Sequence, residues 1–475
     1  MPLHRRQFLS AALAASPLLR GRERPPNVVF VMTDDHGAWA SSPYGCSSLH
    51  TPNLERLAAS GTRFTRAFSC TPVCSPSRMT YLTGLIPSQH GVQDWLMPED
   101  STGPASHRFL ASHTTYSEVI ARAGYTMGMC GKWHMGEDEK AQAGFTFWAT
   151  VPGGGGTYRN PQFVKNGQPL KYQGFKTDAV GDFAVEFLDQ HHDRPFFLQV
   201  PFYAPHTPYD YAPEQYREPY AHSTFPCFPN TPMNPWQNTG LAKMHDNPAA
   251  KLGYSALITG MDYNLGRILD RLEKHGVRDN TLVIFTADQG WNAGHHGVWG
   301  KGNGTVPLNM YEESLHIPLI WSFPGRIAEG KVIDPMVSNY DFFPTILDYL
   351  GIAAPHDNEK RPGRSYAAFL RGQSPAWRNR LYFEYEYVRG IRTENMKYIE
   401  RTSEWPSELY DLESDPGEKH NAIDDPHQKK QIAALRQDLH RFFQQRGAPP
   451  LDQWRTTTRQ KLPQYRRVSD NRTSP

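Results

Sequence analysis

Apolar runs rich in β-branched residues alternate along this chain with stretches whose apolar residues recur at helical spacing. The run Asn27-Val28-Val29-Phe30-Val31-Met32-Thr33 has no polar alternation, so it reads as a strand buried on both faces. Thr51-Pro52 opens a helix through Ser60, closed by Gly61. Residues 115–123 form a helix ending at Gly124, and 125–130 form the next strand. Further strands are expected at 195–200, 281–286 and 317–322, with helices at 254–275 and 341–350. Such alternation predicts an α/β fold with a mostly parallel central sheet flanked by helices on both faces. Past about residue 375 the pattern changes. Short strands at 380–388 and 397–400 and one amphipathic helix at 428–446 predict a smaller C-terminal α+β subdomain. The expected division is residues 25–375 for the larger domain and 376–475 for the subdomain and tail. From Thr456 the tail is polar and Arg-rich, and is expected to wind over the surface or fray.

The formal net charge of +2 with 21% charged residues gives no global field for nucleic acid. No stretch after the N-terminus reaches the roughly 18 apolar residues of a membrane span. With 40 Pro, 38 Gly and 12% aromatic residues the chain reads as a loop-rich enzyme with ordered turns. Residues 1–24 read as an address: His4-Arg5-Arg6-Gln7-Phe8-Leu9, then a short small-apolar stretch with Ala14-Ala15-Ser16. The Arg-Arg-x-Phe-Leu core resembles a bacterial twin-arginine export signal, implying a periplasmic or extracellular enzyme. Five cysteines, an odd count, leave at least one thiol unpaired, and their spacing matches no zinc site. Cys70, Cys130 and Cys227 read as buried small hydrophobes. A disulfide involving Cys46 or Cys227 stays open.

The polar motifs fall just past expected strand ends, where open α/β sheets place their ligand sites. Adjacent carboxylates at Asp34-Asp35 repel unless a cation neutralises them. By themselves they would as readily form a solvated turn. Asp288-Gln289 adds a carboxylate and an amide oxygen, making an all-oxygen set that suits Ca²⁺ or Mg²⁺ and disfavours Zn²⁺. Lys132 and His134 lie at i and i+2, on one side of an extended segment. Pro205-His206-Thr207-Pro208 stiffens the backbone around an imidazole. Cys74 precedes a Pro that can open a helix and lies four residues before Arg78. A helix N-terminus plus a permanent cation would hold an anionic substrate against a reactive side chain.

Cys74-x-Pro76-Ser77-Arg78-x-x-x-Leu82-Thr83-Gly84 closely resembles the signature of type I sulfatases, the formylglycine-dependent, arylsulfatase-like members of the alkaline phosphatase superfamily. In that family the Cys is oxidised to formylglycine (3-oxoalanine), whose hydrate attacks sulfur. Residues 124–134 resemble the second signature, departing at Met127 and Cys130, which read as core. The Pro205-His206 segment, His295-His296-Gly297-Val298-Trp299-Gly300-Lys301, and the closing segment Glu408-Leu409-Tyr410-Asp411-Leu412-Glu413-Ser414-Asp415-Pro416 are also similar to the family. The resemblance spans residues 27–301 and returns at 408–416. It implies an alkaline phosphatase-like fold, a formylglycine-generating maturation enzyme as partner, and Ca²⁺ held by Asp34, Asp35, Asp288, Gln289 and the modified Cys74. The family often carries Asn where this chain has the longer Gln289. It further implies that Arg78 favours the ionised hydroxyl and that Lys132 and Lys301 hold sulfuryl oxygens. His206 would protonate the leaving alcohol, and His134 would take the proton of the second hydroxyl. His296 is supportive, and His295 is a substrate or packing residue.

Trp-rich and Tyr-rich loops, with export, point to a sulfated poly- or oligosaccharide, for which a small aryl sulfate would be a surrogate. His90, Asp94 and Trp95 follow the helix opened by Cys74. They could line a sugar subsite or pack its end. The rivals are a phosphonate or phosphodiester hydrolase of the same superfamily, and a non-catalytic sulfated-glycan binder. The intact set Cys74, Lys132, His134, His206 and Lys301 argues against the binder.

Overall fold

The computed structural model describes residues 24–451. Apart from Arg24, the expected export signal lies outside the described residues, as does the tail from Thr456. The main sheet comprises β1 (Asn27–Thr33), β2 (Thr62–Phe68), β3 (Thr126–Lys132), β4 (Phe147–Val151), β5 (Gln162–Lys165), β6 (Gln168–Lys171), β7 (Phe196–Pro201), β8 (Thr281–Ala287), β9 (His316–Ser322), β10 (Lys331–Ile333) and β11 (Val337–Ser338). Their order is β10-β2-β9-β8-β1-β7-β3-β4-β5-β6, with β11 beside β2. The block β8-β1-β7-β3-β4 is parallel throughout. β9 runs against both β8 and β2, and β5 and β6 close one edge as an antiparallel hairpin. The sheet is therefore mostly parallel, as expected, with one reversed strand inside it.

Period-two alternation divides the central strands between two cores. Val28, Phe30, Met32, Leu282 and Ile284 face one core, with the helices Cys74–Thr83, Tyr116–Arg122 and Phe342–Leu350. Val29, Val31, Val283 and Phe285 face the other, under the helices Lys176–His191 and Pro248–Lys274. Each such side chain, wholly buried, contributes about 1.5–3 kcal/mol of transfer free energy. Capping sets the helix starts. Thr115 Oγ1 accepts from Glu118 N at 3.1 Å, while the Glu118 carboxylate accepts from Thr115 N at 3.2 Å. The long helix begins at Pro248, earlier than expected, because the Asn247 side chain caps Ala249 N at 2.9 Å.

A second, antiparallel sheet follows: β12 (Leu381–Tyr385), β13 (Val388–Arg392), β14 (Met396–Arg401) and β15 (Glu408–Asp411). The single strand expected at 380–388 is two strands joined at Glu386-Tyr387, where Glu386 adopts φ +45°. Leu435, Leu439, Phe442 and Phe443 of helix Lys429–Gln444 cover this sheet. Cys227 is not a free buried thiol: it is paired with Cys46, Cα–Cα 5.8 Å, across 181 residues. Cys70 and Cys130 are free and buried, as read. Among the described residues no helix is long and apolar enough to cross a membrane.

A buried ionic joint ties the loop after β8 to the second sheet. His296 Nε2 lies 2.5 Å from Glu313 Oε2 and 3.7 Å from Glu418 Oε2. Lys397 Nζ meets Glu418 at 2.6 Å and Glu312 at 3.1 Å. Burial lowers the His296 pKa, but the Glu313 and Glu418 carboxylates outweigh it and hold it above the ordinary imidazole value. A raised folded value means that this stabilisation is complete at acidic pH and is lost as pH rises through it. Melting curves from mildly acidic to mildly alkaline buffer should therefore show the native chain losing Tm more steeply than His296→Gln. Parallel slopes would remove His296 from the joint.

Candidate active site

Cys74 is the first residue of the helix Cys74–Thr83, every residue of which is buried. Arg78, one turn on, lies on the same face and reaches the ends of three strands. It pairs with Asp288 Oδ2 at 2.7 Å and Asp34 Oδ2 at 3.3 Å, and its Nη1 donates to Lys132 O at 2.6 Å. Ser77 Oγ donates to Asp288 O.

The register Thr33↔Ala287 sends Asp34 and Asp288 off β1 and β8 side by side. Asp35 turns into the left-handed region, φ +62°, so the paired carboxylates face different partners. Asp34 takes Lys132 Nζ and Arg78. Asp35 Oδ1 takes Lys301 Nζ at 2.6 Å, and its Oδ2 lies 3.6 Å from His206 Nε2. Lys301 Nζ also donates to Cys74 Sγ at 3.0 Å. Lys132 and His134 do meet at this point, but not through strand alternation. β3 ends at Lys132, and His134 at φ +59° turns the chain back.

His134 Nε2 donates to Leu96 O at 2.9 Å, which leaves Nδ1 as the basic nitrogen. His206 Nδ1 donates to Thr207 O at 2.5 Å, leaving Nε2 for chemistry. Its side chain is 23% exposed, against 1–6% for Lys132, Arg78 and Lys301, so it stands at the mouth. A cavity of about 320 Å³ is lined by Asp35, Cys74, Lys132, His134, His206 and Lys301, together with Trp95, Trp291 and Gly153 to Gly155.

The electrostatics follow from burial. Burial raises the Cys74 thiol, but the charges of Lys132 and Lys301 outweigh it and hold it well below its ordinary value. Burial likewise opposes ionisation of Asp34, yet Lys132, His206, Arg78 and Lys301 hold it well below the carboxylate range. Asp35 and Asp288 end above that range: burial and the charge of Asp34 prevail over Lys301 and Arg78 respectively. The chain's own cations thus neutralise Asp34 and leave two buried carboxylates under-compensated. Asp35 Oδ2 and Gln289 Oε1 are buried without a hydrogen-bond partner. Gln289 Nε2 bridges Asp34 and Asp35 at 3.2 and 2.7 Å, and rotation of the near-symmetric amide puts its oxygen there instead. Carboxylates and an amide oxygen in this state fit a hard divalent cation.

Of the proposed sugar contacts, Trp95 lines the cavity. Asp94 stands behind it, accepting from Tyr385 Oη at 2.7 Å and Trp95 N at 2.8 Å, with its pKa pushed up to about 6 by burial. His90, His295 and His296 stand outside the cavity. His90 is buried against Thr80 and Val92, packing the end of the helix. His295 bonds Asn292 O and lies against the Trp39 ring, and His296 belongs to the ionic joint.

Sequence reasoning missed one wall of the cavity, the run Gly153-Gly154-Gly155-Gly156. The buried Lys176 anchors it, donating to Gly155 O at 2.9 Å and Gly156 O at 2.8 Å, with Nζ 3.9 Å from the Tyr203 ring centroid. Four consecutive glycines directly after an apolar run were the available signal. Gly154 has φ +65°, and a Cβ there would lie 2.2 Å from the His134 ring. Gly154→Ala should therefore cost at least ~10-fold in kcat through a displaced His134, with far-UV circular dichroism unchanged. Full activity in this variant would show that the ring position is not critical.

The fold and this cluster define a hydrolase of the alkaline phosphatase-like class. Within it the chain belongs to the sulfatase family, whose Sulfatase model matches residues 26–352. A second model, N-sulphoglucosamine sulphohydrolase, C-terminal, matches residues 294–445. The N-acetylglucosamine-6-O-sulfatase of Bacteroides thetaiotaomicron is 28% identical, over 87% of this chain and 85% of its own. A structure solved with its substrate D-glucosamine-2-N,6-O-disulfate superposes with a TM-score of 0.77 at 27% identity, covering 90% of this chain and 99% of its own. The phosphonate monoester hydrolase of Agrobacterium radiobacter superposes at 0.67 with 22% identity, covering 89% and 93%. That last likeness is one of fold alone.

Proposed function

We propose that this enzyme removes sulfate from a sulfated poly- or oligosaccharide, using formylglycine made from Cys74 by a maturation enzyme, and Ca²⁺ held by Asp34, Asp35, Asp288 and Gln289. The observation that carries the reading is Lys301 Nζ, 3.0 Å from Cys74 Sγ and 2.6 Å from Asp35, which joins a nucleophile position to a carboxylate cluster fit for a cation. Bound there, the cation would supply Lewis-acid charge, and the hydrate of the oxidised residue's aldehyde would supply a hydroxyl nucleophile.

The remaining chemistry belongs to the chain's own side chains. Lys132 and Lys301 offer ammonium protons to sulfuryl oxygens, where preorganised charge acts without reorganisation. Arg78 fixes Asp34 and Asp288 and keeps the helix start electropositive. His206 Nε2, at the mouth, donates a proton to the leaving alcohol. His134 Nδ1, beside Cys74, accepts one. Trp95, half-buried in the cavity wall, offers an aromatic surface against which a sugar ring can pack. The names of the Bacteroides relative and of the glucosamine disulfate complex support a carbohydrate ester. The Cys46–Cys227 disulfide suits an exported, bacterial enzyme.

Sulfate monoesters, phosphonate monoesters and phosphate diesters share a single negative charge, so rates must choose between them. With matured enzyme, an aryl sulfate should be turned over at least ~100-fold faster than an aryl phosphonate or phosphodiester. Cys74→Ala should abolish turnover of all three with its melting temperature retained. A faster phosphonate reaction would transfer the chain to that chemistry. Near-full activity of Cys74→Ala would end the nucleophile assignment.

A further inference from the structure

Five arginines, Arg364, Arg378, Arg380, Arg441 and Arg446, converge on a pocket of about 340 Å³ where helix Lys429–Gln444 meets β12 and the segment before it. None of them lines the catalytic cavity. Two acids share the pocket. Asp438 Oδ2 pairs with Arg378 Nη2 at 3.3 Å and with Arg380 Nη1. The Asp341 carboxyl, pushed up to about 7 by burial, is taken by Ser338 N at 2.9 Å and Arg364 N at 2.7 Å. Five guanidiniums therefore face two carboxylates, a local excess of cations in one pocket. Arginine is never discharged near neutral pH, so this repulsion persists unless an anion relieves it.

The guanidiniums are held in place and keep further donors: Arg364 Nη2 donates to Arg378 O at 3.0 Å and Arg446 Nη1 to Phe442 O at 3.1 Å, each using one of five N–H groups. Arg446 lies 4.0 Å over the Phe442 ring and Arg364 lies 4.3 Å over Trp377, so aromatic faces hold their planes. Arg446 Nε is buried with no hydrogen-bond partner. The Phe442 ring stacks in turn on Tyr382 at 3.7 Å, which makes a rigid floor. Arg378 and Arg441 stand exposed at the rim. Forked donors on a stiff aromatic base are suited to bidentate recognition of sulfo and carboxylate oxygens.

We propose that this pocket is a second binding site for the sulfo or carboxylate groups of an anionic glycan, holding substrate polymer away from the ester being cleaved. It rests on the carbohydrate reading of the catalytic cavity. Several arginine forks in one pocket match a ligand with more than one anionic group, such as neighbouring sulfated or uronic residues. A polymer held there reaches the catalytic cavity at a raised effective concentration, without any change in the chemistry.

The test is the double variant Arg378→Ala/Arg441→Ala, chosen because both side chains are exposed; its melting temperature is checked against the native chain. Two probes, a size-defined heparin oligosaccharide and inorganic sulfate, are titrated calorimetrically into full-length protein carrying Cys74→Ala, with and without the double substitution. The oligosaccharide should lose about tenfold or more in affinity in the double variant. On the active background, kcat/KM for a sulfated polysaccharide should fall comparably, while kcat/KM for an aryl sulfate stays unchanged. Unchanged oligosaccharide affinity would overturn the proposal. So would inorganic sulfate binding as tightly as the oligosaccharide with the same loss, because the pocket would then hold single anions. If the double variant loses oligosaccharide binding but the enzyme releases no sulfate from any sugar, the pocket stands and the carbohydrate-sulfatase reading falls.

Discussion

The structure depends on one buried electrostatic cluster: Asp34, Asp35 and Asp288 against Arg78, Lys132 and Lys301, all 0–6% exposed. Moving an ion out of water into such a site costs several kcal/mol even after relaxation, and pairing repays it only with close geometry. The parallel register supplies that geometry. Asp34, Lys132 and Asp288 lie at or just past the ends of β1, β3 and β8, and Arg78 projects down between them from the helix that Cys74 opens. A slip of one residue in any of these strands would reverse the side-chain directions and leave charges unpaired. The sheet register and the site are thus one constraint. Lys132 and Lys301 also depress the Cys74 thiol, so the field that stabilises the fold is the field at the proposed nucleophile position.

Left-handed backbone also shapes this cluster. Asp35 and His134 both adopt left-handed conformations, as does His296 in the neighbouring joint. Conformations of this kind in non-glycine residues cost of order 1–3 kcal/mol each and persist where surrounding contacts over-determine them. At Asp35 the contacts are Lys301 and the Asp288 carboxylate. At His134 they are Leu96 O and the close backbone of Gly154. The ionic joint at His296 then fixes the loop that carries Lys301 to the second sheet, so this small sheet supports the site without lining it.

Much of this was legible in the sequence, because the central strands are uniformly apolar and each ends in a polar motif. β1, β3, β7 and β8 were readable as runs, and the residues past them identified the cluster that the fold assembles. Short or mixed elements escaped. β2 (Thr-Arg-Phe-Thr-Arg-Ala-Phe) carries two arginines, and β4 to β6 lie among glycines and turns, so no period stood out. Glu386 looked like mid-strand because a left-handed turn at a charged residue has no composition signal. His90, His295 and His296 are imidazoles close to the motifs in sequence, yet packing and ion pairing hold them outside the cavity. The pairing of Cys46 with Cys227 depends on tertiary proximity across 181 residues, which spacing does not encode. The arginine pocket is drawn from segments about 80 residues apart, and nothing local marks it.

The central claim is that Cys74 is the seat of the reacting group, and peptide mass tests it most directly. Trypsin releases residues 67–78, which carry both Cys70 and Cys74. In protein made in its native host, or together with a formylglycine-generating enzyme, this peptide should show a mass deficit close to that of one water, mapped to Cys74. Cys70, whose thiol is buried away from the cluster, should be unchanged. An unmodified thiol at Cys74 in the presence of a competent maturation enzyme would contradict the account.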